Sequence, residues 1–107
     1  MPRRRPFTII LAPETLEHLD FIEAKDHRLI RKAIAQQLTF LPDQLTRNRK
    51  PLEQPAPFSA TWELRFGPGN RFRVFYEVDS RNRVINVLAI GIKHRNRLLI
   101  GGEEFEP

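Results

Sequence analysis

The sequence predicts an α+β domain: an N-terminal strand, an αα-hairpin and then a three-stranded antiparallel meander, about four strands in all with two helices on one face. Three observations carry this. A β-rich apolar run, Phe7 to Ala12, precedes a stripe at helical spacing, Ile30, Ala33, Ile34, Gln37, Leu38 and Leu41. Trp62 to Phe66 and Arg71 to Val78 alternate with period two on either side of the turn Gly67-Pro68-Gly69-Asn70. Val84 to Ile92 is almost continuously apolar, as in a strand covered on both faces.

Phe7 to Ala12 reads as an edge or near-edge strand. Pro13 and Glu14 open the first helix, because proline fits a first turn and acids suit the positive end of the helix dipole. Leu16, Leu19 and Ile22, with Phe21 beside them, are its expected buried side. Asp26 is placed to cap the second helix. Arg28, Arg31, Lys32 and Ala35 lie opposite that helix's apolar stripe, and Pro42 stops it. Residues 42–57 contain four prolines and read as a long loop, a length at which loops often carry function. The loop holds Arg47, Arg49 and Lys50. In the first meander strand Trp62, Leu64 and Phe66 share one face, Glu63 and Arg65 the other. In the second, Phe72, Val74, Tyr76 and Val78 face the core, while Arg71, Arg73, Phe75 and Glu77 face outward, leaving that side of the sheet open. After Gly91 comes a basic run, Lys93-His94-Arg95-Asn96-Arg97, and Gly101-Gly102 ends the last element. With no repeat, low-complexity segment or composition break, one domain spans residues 1–107.

A chain of 107 residues can bury one core, and 40% apolar content suits a folded protein. The absence of cysteine excludes disulfides and thiolate metal sites and fits a reducing compartment. No apolar run approaches a membrane span, and the basic start before Phe7 leads into an apolar stretch too short for a signal peptide and cut by Pro13. The expected location is the cytoplasm. Net charge is +5, and 14 of the 18 basic residues are arginine. Guanidinium forks match phosphates, which points to nucleic acid, although small solvated domains often carry such an excess. Residues 65–97 hold eight basic and two acidic side chains, whereas the tail Glu103-Glu104-Phe105-Glu106 is acidic. His18, His27 and His94 are too widely spaced to suggest a metal site, and no cofactor is expected. Ser59 and Ser80 lack a neighbouring histidine for a hydrolase triad. No helix follows Gly67–Asn70, so that turn is not a phosphate loop.

The strand Arg71-Phe-Arg-Val-Phe-Tyr-Glu-Val78 is followed by a hydrophobic strand ending in Gly91-Ile-Lys-His-Arg95. This pairing resembles the RelE/ParE superfamily of toxins from type II toxin–antitoxin systems, and the order of elements is similar over roughly the whole chain. The resemblance implies a RelE-like toxin that inhibits translation by metal-independent endonucleolytic cleavage of mRNA at the ribosome. It implies a cognate antitoxin as partner. By the same resemblance, Arg73 stabilises the phosphorane formed on 2′-hydroxyl attack, and Arg65 and Lys93 bind phosphate. Glu63 and His94 would carry protons. Arg71, Arg95, Arg97, Lys50 and Phe75 would bind RNA, Phe75 by stacking. The residues themselves leave plainer alternatives: Arg73 paired with Glu63 or Glu77, a solvated His94, and Phe75 packed under a loop, the tail or a partner. The chain departs from RNA-cleaving relatives in having Glu63 at a lysine position and Leu99 where a tail tyrosine would stand. Its one tyrosine, Tyr76, lies on the expected core face. A ParE-like poison of DNA gyrase, which needs no catalytic groups, and an inactive binding relative remain open.

Overall fold

The computed structural model describes residues 5–106; the basic start at residues 1–4 lies outside them. The chain runs β1 (Thr8–Leu11), α1 (Pro13–Asp20), α2 (Ala24–Leu38), β2 (Arg49–Pro51), β3 (Trp62–Phe66), β4 (Phe72–Asp79), β5 (Val84–His94), β6 (Arg97–Ile100) and β7 (Glu103–Glu104). Strands β2 to β7 follow one another across a seven-stranded sheet, each antiparallel to the next. Strand β1 lies parallel to the first half of β5, and β6 pairs with the second half along the same edge. The α+β class, the helix pair and the meander are as the sequence predicts. Three short strands are additional: β2 inside the expected loop, and β6 and β7 beyond Gly91. No helix among the described residues is long and apolar enough to cross a membrane.

The helices pack on one face. Helix α2 buries Ile30, Ala33, Ile34 and Leu38 of the predicted stripe; it ends at Leu38, before Leu41 and Pro42, and Gln37 is only half-buried. Helix α1 differs from expectation: Leu16 and Phe21 are 56% and 64% exposed. The helix has only two turns, and its inward line at i, i+3 and i+4 is Thr15, His18 and Leu19. Asp26 is not a cap either. The second helix begins at Ala24, so Asp26 sits in its first turn and accepts a hydrogen bond from Arg71 Nη2 at 3.0 Å. His27 Nε2 lies 2.8 Å from both the Leu19 and Ile22 carbonyls and ties the break between the helices.

The main core lies between helices and sheet, with Leu64, Phe72, Val74, Tyr76, Ile85, Val87 and Ile90 meeting Ile30, Ile34 and Leu38. Each such side chain contributes roughly 1.5–3 kcal/mol by leaving water. The other face is not open as expected. Phe75, Ala89, Ala60 and Ile100 form a second cluster there, flanked by Leu52, Leu98 and Phe105. The segment before β3 and the β6–β7 hairpin fold over that face and shelter it. One irregularity sets the geometry of β5. Phe75 pairs with Ala89 but Tyr76 pairs with Val87, so Leu88 is an extra residue in a β-bulge.

Candidate functional site

Strands β3 and β4 put Arg65 directly opposite Arg73, on the face away from the helices. Two like charges in that position repel. Glu63 offsets this: the residue is 5% exposed, and its carboxylate sits among three cations. Arg65 Nε donates to Glu63 Oε1 at 2.6 Å, Lys50 Nζ lies 3.8 Å from the same oxygen, and Arg73 Nη1 lies 3.5 Å from Oε2. Lys50 reaches the group because β2 pairs Lys50 with Glu63. Arg73 is buried and also donates from Nε to the Asn70 carbonyl at 2.9 Å. Burial lowers the Arg73 pKa from its ordinary value; Glu63 opposes the shift and Arg65 adds to it. The guanidinium keeps its charge, as arginine does in proteins.

Beside this cluster lies a cleft of about 410 Å³. Phe75 and Glu63 line it, Lys93 and Leu98 come from β5 and β6, and Pro55 and Pro57 come from the segment before β3. The tail closes one side with Glu104, Phe105 and Glu106. Among the described residues, Lys93 is the one cationic side chain lining the cleft, against the carboxylates of Glu53, Glu63, Glu104 and Glu106.

Of the residues predicted from the sequence, Glu63, Arg65, Arg73 and Lys50 come together, and Lys93 lines the adjoining cleft. The others fall elsewhere. His94 is next to Lys93 on a strand, so its side chain points to the opposite, helical side of the sheet. It cannot share a proton relay with Glu63. Arg71 precedes β4 in a helical backbone conformation, which turns it toward α2, where it pairs with Asp26 and lies 4.7 Å over the Phe72 ring. Arg95 and Asn96, both with positive φ, form the tight turn between β5 and β6. Arg97 pairs with Glu104 at 3.1 Å. Phe75 is 1% exposed and lies in the second cluster, so it offers no ring face for base stacking. Tyr76 is buried, stacks on Trp62 and donates to the Pro42 carbonyl at 2.5 Å. Burial raises its pKa well above a phenol's ordinary value, with Arg49 opposing and Asp43 adding to the shift.

Two buried polar residues escaped sequence reasoning. Arg49, read as a loop cation, donates to the Gln37 and Gln44 carbonyls and so covers the C-terminal end of α2. His18 Nδ1 accepts the Ile90 N–H at 3.2 Å, at the point along β5 where β1 has ended and β6 has not begun. Its ring meets Phe58 edge-on at 5.2 Å. The available signal was spacing: His18 stands three residues after Thr15 on the inward line of α1.

The fold is the α+β arrangement that the 71–78 strand suggests. Residues 9–97 match the family described as the ParE toxin of the type II toxin–antitoxin system, parDE, and the chain belongs to this family. Among solved structures it is similar to the toxin–antitoxin complex RelBE2 from Mycobacterium tuberculosis. That alignment covers 82% of this chain and 99% of that chain, with a TM-score of 0.61 and 18% identity, which is a likeness of fold. No curated protein matches the chain.

Proposed function

We propose that this toxin acts by binding its target stoichiometrically, as a poison of DNA gyrase, rather than by cutting RNA. The observation behind this reading is the enclosed Glu63 carboxylate. Cleavage of an RNA strand needs an accessible base, free positive charge for the phosphorane and an acid for the leaving oxygen. Both Glu63 oxygens face cationic donors, Arg65 and Arg73 are engaged with Glu63, and His94 lies on the other side of the sheet. In this reading Glu63, Arg65 and Arg73 clamp β3 to β4, and the cleft over Phe75 is a surface for protein contact. The partner in the cell is an antitoxin, acidic overall, that covers the basic face or displaces the tail, and the site of action is the cytoplasm.

The test uses purified chain with bacterial gyrase, supercoiled DNA and ATP, alongside translating ribosomes. The expected result is accumulation of gyrase-linked DNA breaks and intact mRNA. The mRNA-cleaving reading keeps one observation in its favour: Arg65 and Arg73 stand side by side in register, with Lys93 beyond them. If mRNA fragments ending in 2′,3′-cyclic phosphate appear, and folded Arg73→Ala protein no longer makes them, that reading replaces the first.

A further inference from the structure

At the far end of the sheet, where β4 turns into β5, a second group of cations stands in different circumstances. A pocket of about 350 Å³ opens there between the N-terminal segment, the chain leaving α2 and the β4–β5 turn. Its volume suits one small ligand. Arg83 forms part of the wall. Its backbone lies in the left-handed region, with φ 53, a conformation uncommon for residues other than glycine. Its guanidinium carbon lies 4.2 Å over the Phe7 ring, and its Nη2 donates to the Arg5 carbonyl. Its Nε is shut off from solvent with no acceptor. The stacking on Phe7 offsets part of that penalty. A left-handed backbone and a guanidinium without a carboxylate partner among the described residues, both at a cavity wall, point toward a function outside the fold.

The charges differ from those at Glu63. Arg65, Arg73 and Lys50 are engaged with a carboxylate, whereas Arg5 and Arg83 form no ion pair with any carboxylate among the described residues. On the wall of the same pocket as Arg5 and Arg83, Phe40 is 50% exposed although it is a large aromatic side chain. Asp43 and Gln44 add hydrogen-bonding groups to the same wall.

We propose that this pocket binds single-stranded nucleic acid. Arg83 and Arg5 take the phosphate, the Phe40 ring stacks one base, and Asp43 and Gln44 face the edge of that base. Arginine on phosphate combined with an aromatic platform is the chemistry by which single strands are held without a duplex groove. A duplex keeps its base faces covered and would use the arginines alone. The inference does not depend on the gyrase reading, because this pocket lies outside the Glu63 cluster and the cleft beside it.

The experiment is fluorescence anisotropy of a short labelled oligonucleotide, single-stranded and duplex, titrated with the chain at low and raised salt. Wild type is expected to prefer the single strand and to weaken steeply with salt. Phe40→Ala should weaken single-strand binding about tenfold. Arg5→Ala, an exposed residue, should weaken it and flatten the salt dependence. Arg83→Lys keeps the charge and guards against misfolding at a position packed on Phe7; it should bind more weakly than wild type and more tightly than Arg83→Ala. The proposal fails if wild type does not bind at low salt, or if Phe40→Ala and Arg5→Ala both bind as wild type does. It also fails if the duplex binds equally well, or if folded Arg73→Ala loses binding while Phe40→Ala keeps it.

Discussion

Glu63 matters more to the fold than any single cation around it. Replacing it with alanine leaves Arg73 buried without a counter-charge, and stranding a buried charge costs about 3 kcal/mol or more. Lys50→Ala removes a side chain that is 45% exposed and should cost under about 1 kcal/mol. Urea unfolding midpoints of the two variants check this contrast; equal midpoints would refute the clamp. His18 supplies a second prediction at this scale. Burial lowers its pKa, with Glu14 and Glu17 opposing, and its Nδ1 must stay unprotonated to accept the Ile90 N–H. As pH falls, the unfolded chain therefore takes up this proton before the folded one. The His18 contribution is complete above about pH 6.5, the unfolded value, and is lost progressively below it. The melting temperature should decline on acidification through that window, and His18→Gln should show a shallower decline; a slope identical to wild type would sink the idea. The pairing of Arg73 with Glu63 was among the alternatives visible in the sequence, because both residues sit on one face by strand alternation. The role of His18 was not, since its partner is a backbone N–H 72 residues away.

Helix α2 was legible because a helix of fifteen residues repeats its apolar signal over four turns. Strand β2 was hidden because three residues ending in proline have no period to read. Helix α1 was misread on one side, since two turns offer too few positions to separate an inward Leu19 from an outward Leu16. Arg49 joins these elements: it reaches from β2 to the end of α2. Arg49→Met should cost about 2 kcal/mol, the loss of charged hydrogen bonds to carbonyls that stay partly buried. Thermal unfolding and the amide exchange of the last turn of α2 would report it, and undiminished protection there would contradict the capping role. The β6–β7 turn gives a sharper case. Gly102 has φ +79, and a Cβ there would lie 2.6 Å from the Phe21 ring. Gly102→Ala should destabilise the chain, and Phe21→Ala should relieve the steric part but not the backbone part. A double-mutant cycle measures the coupling; strict additivity would show that the ring is not what Gly102 accommodates.

Over the whole molecule, the sheet has a large core on the helical face and a small one on the other, and the second depends on the chain's last strand. Deleting residues 103–107 removes β7 and Phe105, uncovering the side of the cleft above Phe75 and Ile100. The shortened protein should bind more of a dye that reports exposed apolar surface and should melt lower. Unchanged dye binding would mean that the tail does not shelter this face. The sequence showed an outward Phe75 and an acidic tail separately. It could not show that one covers the other, because that contact depends on β6 and β7, whose few residues alternate too briefly to announce strands.

The bulge at Leu88 makes face assignment along β5 depend on residue count as much as on residue identity. Val87 and Ile90 both point toward the helices, so the inward positions switch from odd to even numbers within the strand. Losing Leu88 itself would straighten the pairing and leave every later side chain on its present face. With the bulge kept, losing one residue from 90 to 92 would instead exchange Lys93 for His94 at the cleft. In this strand, a one-codon deletion replaces an ammonium group with an imidazole at the cleft without altering either residue. Among relatives, gaps in this strand would therefore be as informative about chemistry as substitutions.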